Sequence, residues 1–248
     1  MIENISTTEL LYKKSKPVDH LSVSDGILLM ANEQKKAAIE VRKVAKAIEF
    51  AIDQIYDRLM LSSGGRLIYT GAGTSGRVGM QDGVELFPTF NWPKNRVDFI
   101  LAGGTTALLE AVENAEDNID DAINIVHRKL ITSKDVVIGL AASGNTPFTC
   151  KVLETSSKTG ALTLAISNNP MGEILNFGKL KIILDTKEEV IAGSTRLKAA
   201  TAQKICLNII STMLMVKLGR VKNGHMIEMV PTNNKLRKRK SFINKNNI

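Results

Sequence analysis

Aromatic residues and cysteine are scarce in this chain. Phe, Trp and Tyr make up 4% of its 248 residues, so the core must be aliphatic, which is typical of buried parallel strands covered by helices. The two cysteines, Cys150 and Cys206, lack the paired spacing of a zinc site or a disulfide framework, and we expect both to be reduced core residues. With 44% hydrophobic and 23% charged residues, the composition is that of a globular protein with one sizeable core.

The chain also lacks an apolar leader and an apolar run of membrane length. Residues 1–14 contain no hydrophobic region of the kind that signal peptides carry. The longest apolar stretch, residues 205–216, is interrupted by Asn208, Ser211 and Thr212 and is too short to cross a bilayer. We therefore expect a cytoplasmic protein without a membrane partner.

Positive charge is concentrated at the C-terminus. The net charge is +8, and residues 235–248 contribute six of these charges without any acidic residue, which leaves +2 for the rest of the chain. This tail lacks the series of aromatic side chains with which single-stranded nucleic acids are bound, so we interpret it as a solvated terminus and expect no nucleic acid partner. The basic residues are Lys235, Arg237, Lys238, Arg239, Lys240 and Lys245.

Residues 27–60 have apolar side chains at helical spacing, and neither glycine nor proline occurs between Gly26 and Gly64. This pattern predicts an N-terminal helical arm (residues 1–60) that packs either on the core or on a second subunit. The arm precedes an α/β domain (residues 61–234) and the basic tail (residues 235–248).

Five short apolar runs alternate with helix-length segments after Gly65. Alternation of this regularity predicts right-handed crossovers and a five-stranded parallel sheet with helices on both faces, and ligands bind such sheets at the carboxyl ends of the strands. The predicted strands are residues 66–70, 97–101, 135–140, 161–166 and 180–184. The predicted helices are residues 76–86, 105–129, 147–158, 171–177 and 194–218.

Two of the predicted strands end in similar loops. Each continues through small residues into Ser-Gly, with Ser75 and Ser143 in equivalent places, so hydroxyls and backbone N–H groups would meet an anion at two helix N-termini. We expect a phosphate site made of Gly73, Thr74, Ser75, Gly76, Ser143, Gly144, Asn145 and Thr146. The alternative is that these residues only cap helices and form tight turns.

The glycines of the first loop also spell G-x-G-x-x-G, a spacing found in dinucleotide-binding folds. A nicotinamide site needs an acidic residue at the end of the next strand, but that strand ends in Leu101-Ala-Gly-Gly. A nucleotide-hydrolysing loop needs G-K-[ST], which is absent. We therefore expect a phosphomonoester as the ligand and no nucleotide cofactor.

Residues 67–79 closely resemble the first phosphate-loop motif of the N-acetylmuramic acid 6-phosphate etherases and of the related glucokinase regulatory proteins, both in the sugar isomerase (SIS) fold family. Further segments that resemble family signatures, in the family's order, are residues 102–104, 111–117, 139–147, 193–199 and 201–204. The resemblance covers roughly residues 20–236. It implies a flavodoxin-like SIS domain that acts as a homodimer on a sugar-phosphate substrate.

The resemblance also implies a reaction, in which a lyase removes D-lactate from N-acetylmuramic acid 6-phosphate by elimination and then adds water to give N-acetylglucosamine 6-phosphate. It places the acid at Glu85 and the base at Glu116, with Glu113 as a second choice for the base, and it brings Lys198 to the sugar-phosphate pocket. The chemistry requires neither a metal nor a cofactor. A non-catalytic SIS sensor of sugar phosphates and an aldose-ketose isomerase remain the alternatives, and the presence of both Glu85 and Glu116 favours the lyase.

Overall fold

The computed structural model describes residues 6–61, 63–231 and 234–245. Two helices come first, α1 (Val23–Lys43) and α2 (Ala45–Leu61). The α/β part then runs through β1 (Leu67–Gly71), α3 (Gly73–Val84), α4 (Leu86–Phe90), β2 (Val97–Leu101), α5 (Ile119–Arg128), β3 (Val136–Ala141), α6 (Pro147–Lys158), β4 (Leu162–Ser167), β5 (Leu180–Ile183) and α7 (Lys198–Lys217). A short antiparallel pair, β6 (Val221–Lys222) and β7 (His225–Met226), and the basic helix α8 (Asn234–Lys245) follow.

The five long strands form one parallel sheet in the order β2-β1-β3-β4-β5. This confirms the predicted fold class, and each predicted strand lies within one residue of its observed bounds. The strand order is the flavodoxin-like one, whose topological switch point lies between the carboxyl ends of β1 and β3. Both serine-containing loops follow these two strands.

Helices cover both faces of the sheet. On one face α1, α2 and α7 share a core with side chains of β1, β3, β4 and β5, and on the other face α5 and α6 pack on a second core. The helices of the arm pack on α7, and α2 also reaches the sheet, so the core covers their buried apolar stripe. Ala37, Ile48 and Ile55 lie in this buried stripe.

The predicted helix over residues 105–129 is wrong in its first half. Only Ile119–Arg128 form an α-helix, while residues 102–118 make turns and single 3-10 turns. Gly103, Gly104 and Asn114 have positive φ angles of 79°, 66° and 58°, which a right-handed helix does not contain. Asn118 then starts α5, because its side chain accepts a hydrogen bond from the backbone N–H of Asp121.

The sequence also led to expectations for the two cysteines, for the C-terminal tail and for the longest apolar stretch. Cys150 and Cys206 are free and buried, as expected. The tail expected to be a solvated terminus is helical over Asn234–Lys245. Among the described residues, α7 is the one helix with the length and composition of a membrane span, and 56% of that window is buried within the protein.

Candidate active site

The loop after β1 brings the start of α3 into close contact with the strand end. A Cβ atom at Gly71 would lie 2.8 Å from the backbone N of Gly76, and a Cβ atom at Gly76 would lie 2.8 Å from the carbonyl oxygen of Gly71. Only glycine allows this approach of helix to strand. Ser75 lies in the first turn of α3 and is 8% exposed, whereas Gly73 in front of it is exposed at the rim of the sheet.

The loop after β3 is fixed by hydrogen bonds to the connection between β4 and β5. Ser143 accepts the backbone N–H of Asn145 on its Oγ (3.2 Å), and its carbonyl accepts from Nδ2 of Asn169 (2.9 Å). Oδ1 of Asn145 accepts the backbone N–H of Glu173 (2.9 Å). Gly144 has φ of 78°, and a Cβ atom there would lie 2.4 Å from Cα of Gly172. The loop therefore has one well-defined shape.

The helices that these two loops open differ from α1 and α5 in how their N-termini are satisfied. Within the described residues, neither Ala72 before α3 nor Thr146 before α6 accepts a backbone N–H with its side chain. By contrast, Ser22 caps α1 and Asn118 caps α5. The first N–H groups of α3 and α6 are thus available to an anion at the switch point, where the helix dipoles favour negative charge.

Glu116 lies on the same rim of the sheet as the two loops. Arg77 of α3 donates from Nε to the carbonyl oxygen of Ala107 (2.9 Å) and from Nη2 to that of Glu110 (3.1 Å), which attaches the segment after β2 to α3. Further along this segment, Ala115 packs on the core that α6 shares. Glu116 itself is exposed, as is Glu113. The structure therefore brings both candidate bases to the rim.

Glu85 lies at the C-terminal end of α3 and not at the rim with the two loops. It is the residue that follows α3, so nine residues of continuous helix (76–84) lie between it and Ser75, and it is exposed. Because α3 begins at the carboxyl edge of the sheet and runs back along it, Glu85 is at the opposite end of the helix from the phosphate loop. The end of α4 is close to the amino edge, where Arg96 donates to the carbonyl oxygens of Gly65 and Leu59. One chain alone does not unite Glu85 with the loops.

The structure gives Lys198 partners other than the loops. Its side chain is buried, and Nζ donates to Oε2 of Glu33 on α1 (3.0 Å) and to the carbonyl oxygen of Glu188 (2.7 Å). Its ammonium is thereby held in a buried ion pair beneath the segment that leads into α7. The predicted role of Lys198 in the sugar-phosphate pocket therefore has no support from this geometry.

The chain is similar in sequence to known SIS-domain proteins. The sequence matches the family model described as the glucokinase regulatory protein N-terminal SIS domain over residues 43–157 and the SIS domain model over residues 105–213. It is 42% identical to N-acetylmuramic acid 6-phosphate etherase 1 of Enterococcus faecalis, over 96% of this chain and 78% of that protein. The chain belongs to the N-acetylmuramic acid 6-phosphate etherase family.

Other members of the etherase family are similarly related. The etherase of Clostridium botulinum is 43% identical over 98% of this chain and 80% of its own length, and that of Mycoplasma mycoides is 40% identical over 94% and 76%. Solved structures with a similar fold include phosphoheptose isomerases from Francisella tularensis (TM-score 0.59, 20% identity, 81% of this chain and 100% of that chain) and Neisseria gonorrhoeae (TM-score 0.55, 16% identity, 81% and 100%). These structures confirm the SIS fold.

Glu33, Asp82 and Glu189 of this etherase-family chain were not identified from the sequence, and they are three of the four buried carboxylates among the described residues. Glu33 accepts hydrogen bonds from Lys198, Lys36 and the hydroxyl of Tyr12. Burial raises the pKa of Glu33, but the hydrogen bonds from Lys36, Lys198 and Tyr12 outweigh burial and lower it to about 2. Glu33 could have been recognised, because it lies four residues before Ala37 on the apolar stripe of α1.

Two of these buried carboxylates, Glu189 and Asp82, fix helices near the site. Glu189 caps α7 by accepting the backbone N–H groups of Lys198 (3.2 Å) and Ala199 (2.7 Å). Asp82 on α3 accepts from the hydroxyl of Tyr69 (3.0 Å), from Nδ2 of Asn208 (2.7 Å) and from Oγ of Ser211 (3.0 Å). Burial raises the pKa of Asp82 and of Glu189. For neither carboxylate does the sequence provide a comparable signal.

Proposed function

We propose that this chain is a carbon-oxygen lyase that cleaves the D-lactyl ether of N-acetylmuramic acid 6-phosphate. The observation that carries the proposal is the pair of helix N-termini at the switch point, which lack capping side chains among the described residues and which Ser75 and Ser143 accompany. A phosphomonoester dianion satisfies both sets of N–H groups, and each favourable helix terminus contributes roughly 0.3–1 kcal/mol. The family relationship supplies the substrate.

Bound in this way, the sugar extends from the loops over the rim that Glu116 occupies. In the ring-opened sugar the C1 aldehyde acidifies the proton on C2, and the Glu116 carboxylate takes that proton. The electron pair forms a C2–C3 double bond, the C3–O bond breaks, and the lactyl oxygen takes a proton from the Glu85 carboxylic acid. Water then adds at C3 while a proton returns to C2, so one water is consumed and N-acetylglucosamine 6-phosphate and D-lactate are formed.

We also propose that the protein works as a homodimer. The resemblance to SIS-domain proteins implies pockets that are completed between subunits, and Glu85 and Glu116 are both exposed in the single chain. Light scattering of the purified protein should therefore give twice the mass of the 27.1 kDa chain. A fully active monomer would contradict the homodimer.

The activity is tested by incubating the purified protein with N-acetylmuramic acid 6-phosphate and measuring D-lactate and the sugar-phosphate product together. We expect equimolar release, and a loss of roughly 10²–10⁴-fold in Glu116→Gln, the range that general acid–base groups supply. Glu113→Gln is the matched control, because Glu113 is exposed on the same segment and should leave the rate within a few-fold. A folded protein that binds the sugar phosphate without releasing lactate would instead be a sensor.

A further inference from the structure

The segment that carries Glu116, residues 102–118 between β2 and α5, has little regular structure of its own. It contains two short 3-10 helices, Gly104–Leu108 and Ala115–Asp117, and Glu116 lies in the second of them. Most of its side chains are exposed, so it buries little apolar surface that could hold it in place. The position of the Glu116 carboxylate therefore depends on contacts that other elements make with this segment.

Arg77 of α3 makes one of these contacts with its guanidinium group. Nε donates to the carbonyl oxygen of Ala107 (2.9 Å), and Nη2 donates to the carbonyl oxygen of Glu110 (3.1 Å). The guanidinium is planar and its N–H groups point in fixed directions, so the two bonds fix the orientation of the segment as well as its distance from α3. A single side chain thereby joins the middle of the segment to the helix that the first phosphate loop opens.

The second half of the segment returns to the sheet. A Cβ atom on Gly103 would lie only 2.8 Å from Cβ of Val112, so the chain between these two residues closes into a loop at the end of β2. Ala115 then packs on the second core, and the 3-10 helix that contains Glu116 packs on α6. Glu116 therefore lies just after a closed loop whose exposed part is attached to α3 by Arg77.

The N-terminus of α3 is also half of the proposed phosphate site. Arg77 lies one helical turn after Gly73, the first residue of α3, and the close approach of Gly71 and Gly76 keeps this turn packed on β1. One turn of helix is thus attached to the phosphate by its N–H groups and to the segment after β2 by Arg77. A shift of that segment relative to α3 is also a shift of Glu116 relative to the bound phosphate.

We infer that Arg77 is a positioning residue, which places the Glu116 carboxylate relative to the C2 proton of the bound sugar. The inference rests on the proposed function, in which Glu116 takes that proton. Nε and Nη2 of Arg77 are engaged by backbone carbonyl oxygens, so Arg77 acts through Glu116 and does not need to contact the substrate.

The substitution Arg77→Met keeps the length of the side chain and removes its donors. The segment then keeps its contacts with β2 and α6 but loses its attachment to α3. Because a misplacement of about 1 Å can slow a reaction about 10²-fold, we expect kcat for D-lactate release to fall roughly 10–10²-fold. The Kd of N-acetylglucosamine 6-phosphate should stay within a few-fold, since the N–H groups of the helix N-termini are unchanged. Arg77→Lys, which can restore one of the two bonds, should recover part of kcat.

The matched control is Arg96→Met. Arg96 donates in the same manner, from Nε to the carbonyl oxygen of Gly65 (2.8 Å) and from Nη2 to that of Leu59 (3.1 Å), but at the amino edge of the sheet. Its loss should lower the free energy of unfolding in urea at least as much as Arg77→Met does, because Arg96 also lies over the ring of Trp92 at 4.4 Å. Since it should leave kcat within a few-fold of wild type, it separates the position of Glu116 from a general loss of stability.

A double-mutant cycle tests whether Arg77 acts through Glu116. In the Glu116→Gln background the base is already absent, so adding Arg77→Met should change kcat by less than about 3-fold. Equal losses in the two backgrounds would overturn the inference. So would an Arg77→Met enzyme that is no slower than Arg96→Met.

These outcomes are distinct from a failure of the proposed function. Wild-type D-lactate release that is lost in Glu116→Gln supports the function whatever Arg77 contributes. If Arg77→Met does not fold, Arg77→Lys takes its place in the cycle and the same criteria apply. A folded wild-type protein without lactate release would overturn the proposed function and, with it, the inference.

Discussion

Breaking the buried ion pair between Glu33 and Lys198 should be among the most destabilising single changes in this chain. Both side chains are almost fully buried, and Nζ of Lys198 lies 3.0 Å from Oε2 of Glu33, although 165 residues separate them. The pair fastens α1 to the start of α7, and the hydroxyl of Tyr12 adds the N-terminal segment (2.8 Å). We consider the substitution Glu33→Gln, which keeps the shape of the side chain and removes its charge.

The loss of unfolding free energy in Glu33→Gln follows from the buried ammonium of Lys198, which keeps its charge. Removing one partner of a buried pair leaves the other charge uncompensated, which costs about 3–5 kcal/mol. The pKa of Glu33 gives a second route to the same quantity. Lowering it from 4.5 to about 2 corresponds to roughly 3 kcal/mol of stability. The two routes agree in order of magnitude, and we expect a loss of about 3 kcal/mol at pH 7.

The contribution of Glu33 to the free energy of unfolding changes with pH in a definite direction. The folded pKa of Glu33 is depressed, so its contribution is complete above about pH 5 and is lost as the pH falls from there towards 2. Urea unfolding of wild type and Glu33→Gln should therefore show the full difference in unfolding free energy at pH 7 and a clearly smaller one at pH 4. The difference, not the wild-type curve alone, isolates Glu33 from the other carboxylates.

A matched control is Glu40→Gln on the same helix. Glu40 accepts from Nζ of the largely exposed Lys43 (2.7 Å), and such surface pairs contribute no more than about 1 kcal/mol. An unfolding free energy of Glu33→Gln within about 0.5 kcal/mol of wild type at pH 7 would refute the reasoning. So would a difference that does not change between pH 7 and pH 4.

Two further substitutions test the framework of the site. Gly144→Ala puts a Cβ atom 2.4 Å from Cα of Gly172 at a φ of 78°. We therefore expect about 2 kcal/mol of destabilisation in urea and a raised KM for the sugar phosphate. The control is Gly64→Ala, which has a φ of 89° and no heavy atom of the described residues near its Cβ, and which should change stability without changing KM. Asp82→Ala leaves the buried hydroxyl of Tyr69 without its acceptor and leaves Ser211 only a 3.4 Å hydrogen bond to the carbonyl oxygen of Asn208, so it should cost about 2–4 kcal/mol by urea unfolding. A loss below about 1 kcal/mol would contradict the inferred network.

The sheet and its loops could be predicted because local signals define them. Gly64-Gly65 and Gly71 mark the ends of β1, and apolar β-branched runs mark the other strands, so the bounds were confirmed within one residue. The alternation of strands and helices then fixes a parallel sheet, and with it the common rim on which Ser75 and Ser143 lie. These inferences need only periodicity and turn chemistry.

The wrong helix prediction for residues 105–118, and the contacts that the sequence did not reveal, have a different physical origin. Residues 105–118 carry apolar side chains at helical spacing, yet Leu109 is 92% exposed and Asn114 has a left-handed backbone, and most of this segment is exposed. The role of Lys198 at the pocket stays a prediction, and its ion pair with Glu33, 165 residues away in the sequence, is a contact that no local pattern contains. The distance between Ser75 and Glu85 depends on the unbroken length of α3, which the sequence placed only approximately.

The most direct test of the proposed site is the position of the phosphate. Crystals grown with N-acetylglucosamine 6-phosphate should show its phosphate oxygens accepting hydrogen bonds from the first N–H groups of α3 and α6, beside Ser75 and Ser143. The competing location is the lysine-rich cavity of about 320 Å³ that Lys14, Lys43 and Lys187 line with others, where neighbouring carboxylates already pair these three ammonium groups. A phosphate bound in that cavity, with the two helix N-termini unoccupied, would contradict the proposed function.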